Sequence, residues 1–256
     1  MIESKQTDEP MLVSGKMFLY EKPELLTREE HGSLGFTPVD DPFNHVRNTR
    51  AIPLTVIEFG SAQRNFPIIF SNLQNPVPLA ITGITDGNNL FVSADGKWDS
   101  MAYVPSYLRC YPFAFAAEQE GKLAVVVDRA ARTVTENPTY PFFVDNEPSE
   151  QTESLMRFVA TYEGQRRRTK EFCDRLVELE LLDAQRATHT PEGADEPSPL
   201  ADYVSINVEK LNALDAETVF DLHSKGFLSA MYMQLYSIEN WRHLMARQVM
   251  RAAKAA

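Results

Sequence analysis

The chain is expected to fold as an α+β protein, with an antiparallel β-rich N-terminal two-thirds packed with a helical C-terminal region. Two observations carry that expectation. Up to about residue 148, apolar residues come in short runs, VPLAITGI, NLFVS, YPFAFAAE and KLAVVVD, punctuated by DGNN, ADGK and EQEG. Short β-branched and aromatic runs separated by Asp-Gly and Gly turns are the pattern of antiparallel hairpins. Beyond residue 148 the period changes. Leu155, Phe158, Val159 and Tyr162 fall at i, i+3, i+4 and i+7, one face of a helix. The chain therefore divides into a β-rich region, 1–148, and a mainly helical region, 149–256, which stand as two domains or merge into one integrated domain.

The first element raises a question of charge. In IEFGSAQRNFPIIF, Glu58 follows PLTVI and precedes Phe59, an apolar setting for a carboxylate. Thr55-Val-Ile-Glu58 fits the S/T-x-x-E capping box, in which the Thr hydroxyl accepts the amide hydrogen at N3. The Glu carboxylate reaches back to the N-cap amide. A short helix over about 56–64 follows, stopped by Pro67, and then FPIIF as a strand. Thr55 and Glu58 are thus read as a structural cap rather than as a catalytic pair. Gln also serves at N3, so Glu58→Gln is expected to leave the fold intact.

Further along, 77–84 is expected to pair with 89–93 across DGNN, and 111–118 with 122–128 across EQEG. Thr133 to Met156 holds five acids and no Lys or Arg, and reads as the connector between the halves. Two helices follow, one ending at Gly164 and a second carrying Phe172, Leu176 and Leu179. RRRTK at 166–170 lies between them as a solvated face that pairs with Glu163 and Glu171. HTPEGADEPSP reads as an exposed loop and YVSIN as one short strand. Asn207 and Asp215 are expected N-caps, and Gly226 a C-terminal stop.

Phe227 to about Arg251 reads as one long helix. Phe227, Leu228, Met231, Leu235, Ile238, Met245 and Val249 recur at helical spacing, and Tyr232, Tyr236 and Trp241 widen the apolar surface. One face would pack on its own domain. The excess over a ~100° stripe and the adaptable methionines suit a contact with a partner or a second copy. Arg242, Arg247, Arg251 and Lys254 complement the helix dipole at that end.

Composition narrows the function classes. The net charge of -11 over 256 residues repels phosphate backbones, so nucleic acid is not an expected partner. Mean hydropathy is -0.31 and no apolar run approaches the ~18 residues of a membrane span, so membrane insertion is not expected either. MIESKQTDEP lacks the basic and apolar parts of a secretory leader, and Cys110 and Cys173 lack CxxC spacing. Both thiols are read as reduced and the location as cytoplasmic.

GxGxxG, GxxxxGK[ST] and GxSxG are absent from the sequence. Its five histidines, His31, His45, His189, His223 and His243, form no HxH, HxD or HExxH. DGNNLF and DGKWD read as turns rather than calcium loops. No catalytic residue, metal ligand or cofactor is assigned from these motifs.

One constellation stands out. WDSMAYVPSYLRCYPFAF, 98–115, sets Trp98, Tyr103, Tyr107, Tyr111, Phe113 and Phe115 around a single Arg109. Aromatics with polar tips and one guanidinium suit the holding of an extended peptide, a sugar or an indole-like ring. The plainer reading is that they fill the core of the β-rich half. Trp98, Tyr103, Tyr107, Arg109, Tyr111 and Phe113 are the candidate ligand-binding residues.

IPLTVIEFGSAQRNFPIIF, then PLAITG, NLFV, and Trp98 followed by YVPSYLRCYPF resembles the SapC family of bacterial proteins. The likeness continues through GKLAVVVD to SIENWRHL and covers roughly residues 12–245. Cys110 stands where members often carry a second Arg, so a paired-Arg role is not carried over to this chain.

The family is named for genes lying with surface-layer protein and type I secretion genes. It is also met beside outer-membrane transporters and flavin-dependent halogenase-like proteins. The resemblance implies a non-catalytic accessory protein that binds a polypeptide or protein partner linked to surface-layer, secretion or outer-membrane uptake systems. The alternative is an enzyme with a dispersed active site, or a substrate-delivery partner of a flavin-dependent halogenase-like enzyme. Self-association as a homodimer would run through the C-terminal helix.

Overall fold

A computed structural model describes residues 17–117, 123–190 and 196–255. In chain order the first elements are β1 (Pro23–Leu25), α1 (Arg28–His31), β2 (Leu34–Phe36), β3 (Ala51–Pro53), α2 (Phe59–Ala62), β4 (Ile68–Phe70) and β5 (Pro78–Ile81). Next come α3 (Ser106–Cys110), β6 (Phe113–Ala117), β7 (Leu123–Asp128), β8 (Val134–Glu136), β9 (Tyr140–Pro141), β10 (Phe143–Val144) and β11 (Glu147–Pro148). The last are α4 (Glu150–Glu178), β12 (Leu182–His189), β13 (Ser198–Ile206), α5 (Val208–Asn212), α6 (Ala216–Ser224), α7 (Phe227–Ser237) and α8 (Asn240–Ala255). Antiparallel sheets in the N-terminal part and helices in the C-terminal region make this an α+β fold. Two compact units draw on chain from both sides of residue 148. One joins the residues up to Val39 with Cys110–Ala160, the other Asp40–Arg109 with Thr161–Ala256.

In the first unit β6 and β7 pair antiparallel, Phe113 opposite Val127, as the apolar runs predict, and β1 adds to the far edge of β7. The EQEG turn lies outside the described residues. The acidic 133–156 stretch is not a bare connector. It supplies β8 and β9, which flank β2, and the β10–β11 hairpin. Burial of Phe142 explains the difference: its ring meets Phe113 edge-on at 5.3 Å, and its amide donates to the Leu34 carbonyl. Acids on the strands stay outside while one aromatic anchors them.

The second unit is built on a sheet of order β12-β13-β4-β5-β3. The expected pairing of 77–84 with 89–93 is reduced to a backbone bond from the Leu90 N–H to the Thr82 carbonyl at 2.7 Å, with no strand ladder. Both edges of β5 are already taken, by β3 (Ile52 opposite Ala80) and by β4 (Ile69 opposite Leu79). Residues 90–92 instead fold back on 98, and Val92 bridges Trp98. Gly96 makes that tight return possible. Its φ is +73°, and a Cβ there would sit 2.5 Å from the Asp41 side chain. YVSIN is the end of a longer strand, β13, whose partner β12 was hidden in a segment read as helical. HTPEGADEPSP therefore joins two strands, with 191–195 outside the described residues.

Two helical expectations also change. α4 runs unbroken through Gly164, so RRRTK lies within a helix. A mid-helix Gly costs about 1 kcal/mol. The burial of Phe172 and Leu176 outweighs it, helped by the Glu163–Arg166 and Lys170–Asp174 pairs.

The expected single C-terminal helix is two, broken between Ser237 and Asn240. The Ser237 hydroxyl accepts the Ile68 amide at 2.9 Å, and the Asn240 side-chain amide donates to the Gln63 and Phe66 carbonyls at 2.7 and 3.1 Å. Those long-range bonds outbid two more residues of helix. Asn207 and Asp215 cap α5 and α6 through Lys210 N–H and Thr218 N–H, and Gly226 takes the left-handed turn after α6, as expected.

The core of this unit lies between the sheet and the helices. Phe172 of α4 packs edge-on to Phe59 at 5.9 Å and to Phe227 at 5.3 Å. Gln234 of α7 is fully buried, and its amide donates to the Ile68 carbonyl at 2.8 Å while its oxygen accepts the Ile206 amide.

Candidate functional site

The Thr55–Glu58 capping box forms at the start of a single turn, Val56–Glu58, that leads into α2. Glu58 Oε2 accepts the Thr55 amide and the Thr55 hydroxyl, both at 2.8 Å. The carboxylate's second oxygen reaches beyond the box. Glu58 Oε1 accepts the Tyr103 hydroxyl at 3.0 Å and the Ser106 amide at 2.6 Å, and the residue is 4% exposed.

Arg109 closes the cluster, donating to the Ser106 hydroxyl at 2.6 Å and to the Tyr103 oxygen at 3.1 Å. Burial, and after it the negative charge of Glu58, raises the Tyr103 phenol above its ordinary pKa. An acid, a phenol and a guanidinium thus stand together. The carboxylate's lone pairs already hold four protein donors, two of them rigid backbone amides. Its chemistry is that of a clamp joining the α2 start to the 103–106 loop.

The other aromatics separate. Tyr107 meets Tyr162 of α4 edge-on at 6.2 Å. Tyr111 and Phe113 belong to the first unit. The Tyr111 hydroxyl donates to Asp128 at 3.2 Å, and Phe113 is wholly buried. Burial is the first cause, and the Asp128 charge the second, that raises the Tyr111 phenol above its ordinary range.

Asp128 is a functional-looking acid that sequence reasoning missed. Fully buried, it accepts the Glu21, Lys22 and Ala130 amides at 3.0, 2.9 and 3.1 Å besides Tyr111. Its one sequence signal is an acid closing the strand KLAVVVD. Like Glu58, it organises loops.

Trp98 sits in a different setting. It is 8% exposed and stacks on Phe91 at 5.9 Å, with Phe43 and Phe66 beside it. Arg247 of α8 lies over the other aromatic, 4.2 Å from the Phe91 centroid, and pairs with Asp99 at 2.8 Å. A groove of about 580 Å³ opens where these residues meet. Of the predicted ligand-binding set, the structure joins Tyr103 and Arg109 to Glu58, and puts Trp98 on the groove.

Cys110 and Cys173 are buried and form no disulfide. Burial, and less so Asp174, pushes the Cys173 thiol up to about 12. Among the described residues no group of three His, Cys, Asp or Glu side chains is placed to hold a metal ion, and no helix is long and apolar enough to cross a membrane.

The SapC family model matches residues 26–244 of the chain. No curated protein and no solved structure matches it.

Proposed function

We propose, because the chain belongs to the SapC family, that it is a non-catalytic accessory protein binding a polypeptide or protein partner. The partner would be linked to surface-layer, secretion or outer-membrane uptake systems. One observation carries the binding reading: the C-terminal helices are apolar on two faces. Phe227, Met231, Trp241 and Leu244 are buried, yet Tyr236, Val249 and Met250 remain 68%, 61% and 57% exposed. Tyr232 stacks on Tyr236 at 6.4 Å, an aromatic pair at the surface. Tyrosine pairs of this kind are favoured anchors in protein interfaces, since they bring large area at small entropic cost.

The Glu58 cluster supports the same reading, because its acid has no lone pair left for a substrate proton. The test is affinity capture from a native bacterial host with mass spectrometry, comparing the wild-type chain with Tyr232→Lys/Tyr236→Lys. The proposal expects a surface-layer, secretion or uptake component that the double variant loses. Recovery of the chain's own copy, with a light-scattering mass of two chains, would make the surface a homodimer contact instead. Equal capture by both proteins would overturn the assignment.

A further inference from the structure

We infer that the groove between the 90–99 hairpin and α8 takes a polypeptide segment in which a carboxylate side chain neighbours an aromatic or large aliphatic one. This rests on the binding reading above and narrows the class of partner. Phe91, Trp98, Lys97, Asp99, Arg247, Met250 and Arg251 are among the groove's lining residues. At about 580 Å³ it has room for two or three side chains.

Three features set its chemistry. The first is a donor: Trp98 Nε1 is buried and has no hydrogen-bond partner. Buried indole N–H groups are normally paired, and an acceptor arriving with a ligand, such as a backbone carbonyl, reaches this one when the indole edge turns toward the groove that its ring lines. The second is Arg247. It stacks on Phe91 and pairs with Asp99 at 2.8 Å, while its side chain stays 31% exposed. A guanidinium carries five N–H donors in a planar fork, suited to receiving a second carboxylate.

The third feature is charge. Lys97, Arg247 and Arg251 face only Asp99 among the lining residues, three positive against one negative, a local +2. Asp95, 3.5 Å from Lys97, reduces this to +1. On a chain of net charge -11 that is a reversal of sign.

Arg251 contributes charge rather than donors, because its guanidinium is held by the Asn89 and Val92 carbonyls at 2.5 and 3.1 Å and by Asn88 Oδ1 at 3.3 Å. The acidic group therefore docks at Arg247. Its apolar neighbour lies on Phe91, Trp98 and the flexible Met250, which adapts to different shapes.

The indole N–H resonances of Trp98 and Trp241, assigned with Trp241→Phe, read the site directly. The probes are the peptides acetyl-Phe-Glu-Phe-Glu-amide and acetyl-Phe-Gln-Phe-Gln-amide, with phenylacetate as a small anion. The expected result is a saturable downfield shift of the Trp98 N–H and at least tenfold tighter binding of the Glu peptide. Met250→Glu, at a side chain more than half exposed, should weaken that peptide at least tenfold without moving the melting temperature. An unmoved Trp98 signal, equal binding of the two peptides, or an unaffected Met250→Glu variant overturns the inference. Phenylacetate binding as tightly as the Glu peptide would assign the groove to small anions and overturn the polypeptide claim. None of these outcomes changes capture through Tyr232 and Tyr236, so failure here is distinguishable from failure of the accessory-protein reading.

Discussion

Glu58 Oε1 accepts the Ser106 backbone N–H at 2.6 Å, across 48 positions of chain. That bond, with the Thr55 amide at the other oxygen, determines what the acid can do. Two rigid amides and two hydroxyls fill its acceptor sites, so it is a cross-link written in hydrogen bonds.

Glu58→Gln is therefore not silent, contrary to what the capping box alone suggests. A Gln amide turns an NH2 group toward either the Thr55 or the Ser106 N–H, and neither backbone donor can rotate away. The variant should fold but lose about 1–3 kcal/mol in urea unfolding. Thr55→Val should lose about 1–2 kcal/mol, as an N-cap does. A Glu58→Gln variant as stable as the wild type would mean that the carboxylate is not bonded as described.

Asp128→Asn should behave alike in the first unit, because three backbone amides converge on its two oxygens. The expected loss is again about 1–3 kcal/mol, with faster hydrogen exchange at the Glu21 and Lys22 amides. Unchanged exchange at both amides would show that Asp128 does not hold that loop.

Cys173 supplies a pH dependence. Its folded value near 12 lies above the ordinary 9.0 because burial disfavours the thiolate. The folded state holds the proton more tightly. Its contribution is fully present below pH 9 and is lost as the pH rises from 9 toward 12. Cys173→Ala should flatten that alkaline loss. In the native protein at pH 8, alkylation of Cys173 should run roughly a thousandfold slower than for an ordinary thiol. Rapid native labelling would contradict the burial.

Deleting α8 would not isolate an interface. Trp241 and Leu244 are buried, and Arg247 and Arg251 tie the helix to Asp99 and to the carbonyls of 89–92. Truncation after Asn240 should abolish the cooperative melt, whereas Tyr236→Lys should leave it within about 0.5 kcal/mol of the wild type. A truncated chain with an intact melt would refute the packing of α8.

What the sequence disclosed was local. The β6–β7 hairpin, the Thr55–Glu58 box and the Asn207 and Asp215 caps each rest on residues within a few positions of one another, so pattern and spacing sufficed. The pairing of β1 with β7, of β13 with β4, and the meeting of Glu58 with Ser106 span much longer stretches, and nothing in a short window marks them. The aromatic segment was legible as unusual. Its division between the Glu58 clamp, the Trp98 groove and the Phe113 core depended on tertiary partners such as Arg247 and Phe142.

We propose that this chain binds a macromolecular partner through its C-terminal helices and performs no reaction at the Glu58 cluster. Hydrogen exchange with mass spectrometry on the chain with and without its captured partner tests it most directly. Partner binding through these helices predicts new protection in α7 and α8, around Tyr232–Met250, and unchanged exchange at 55–58 and 103–109. Protection confined to 55–58 and 103–109, with α7 and α8 unaltered, would contradict it.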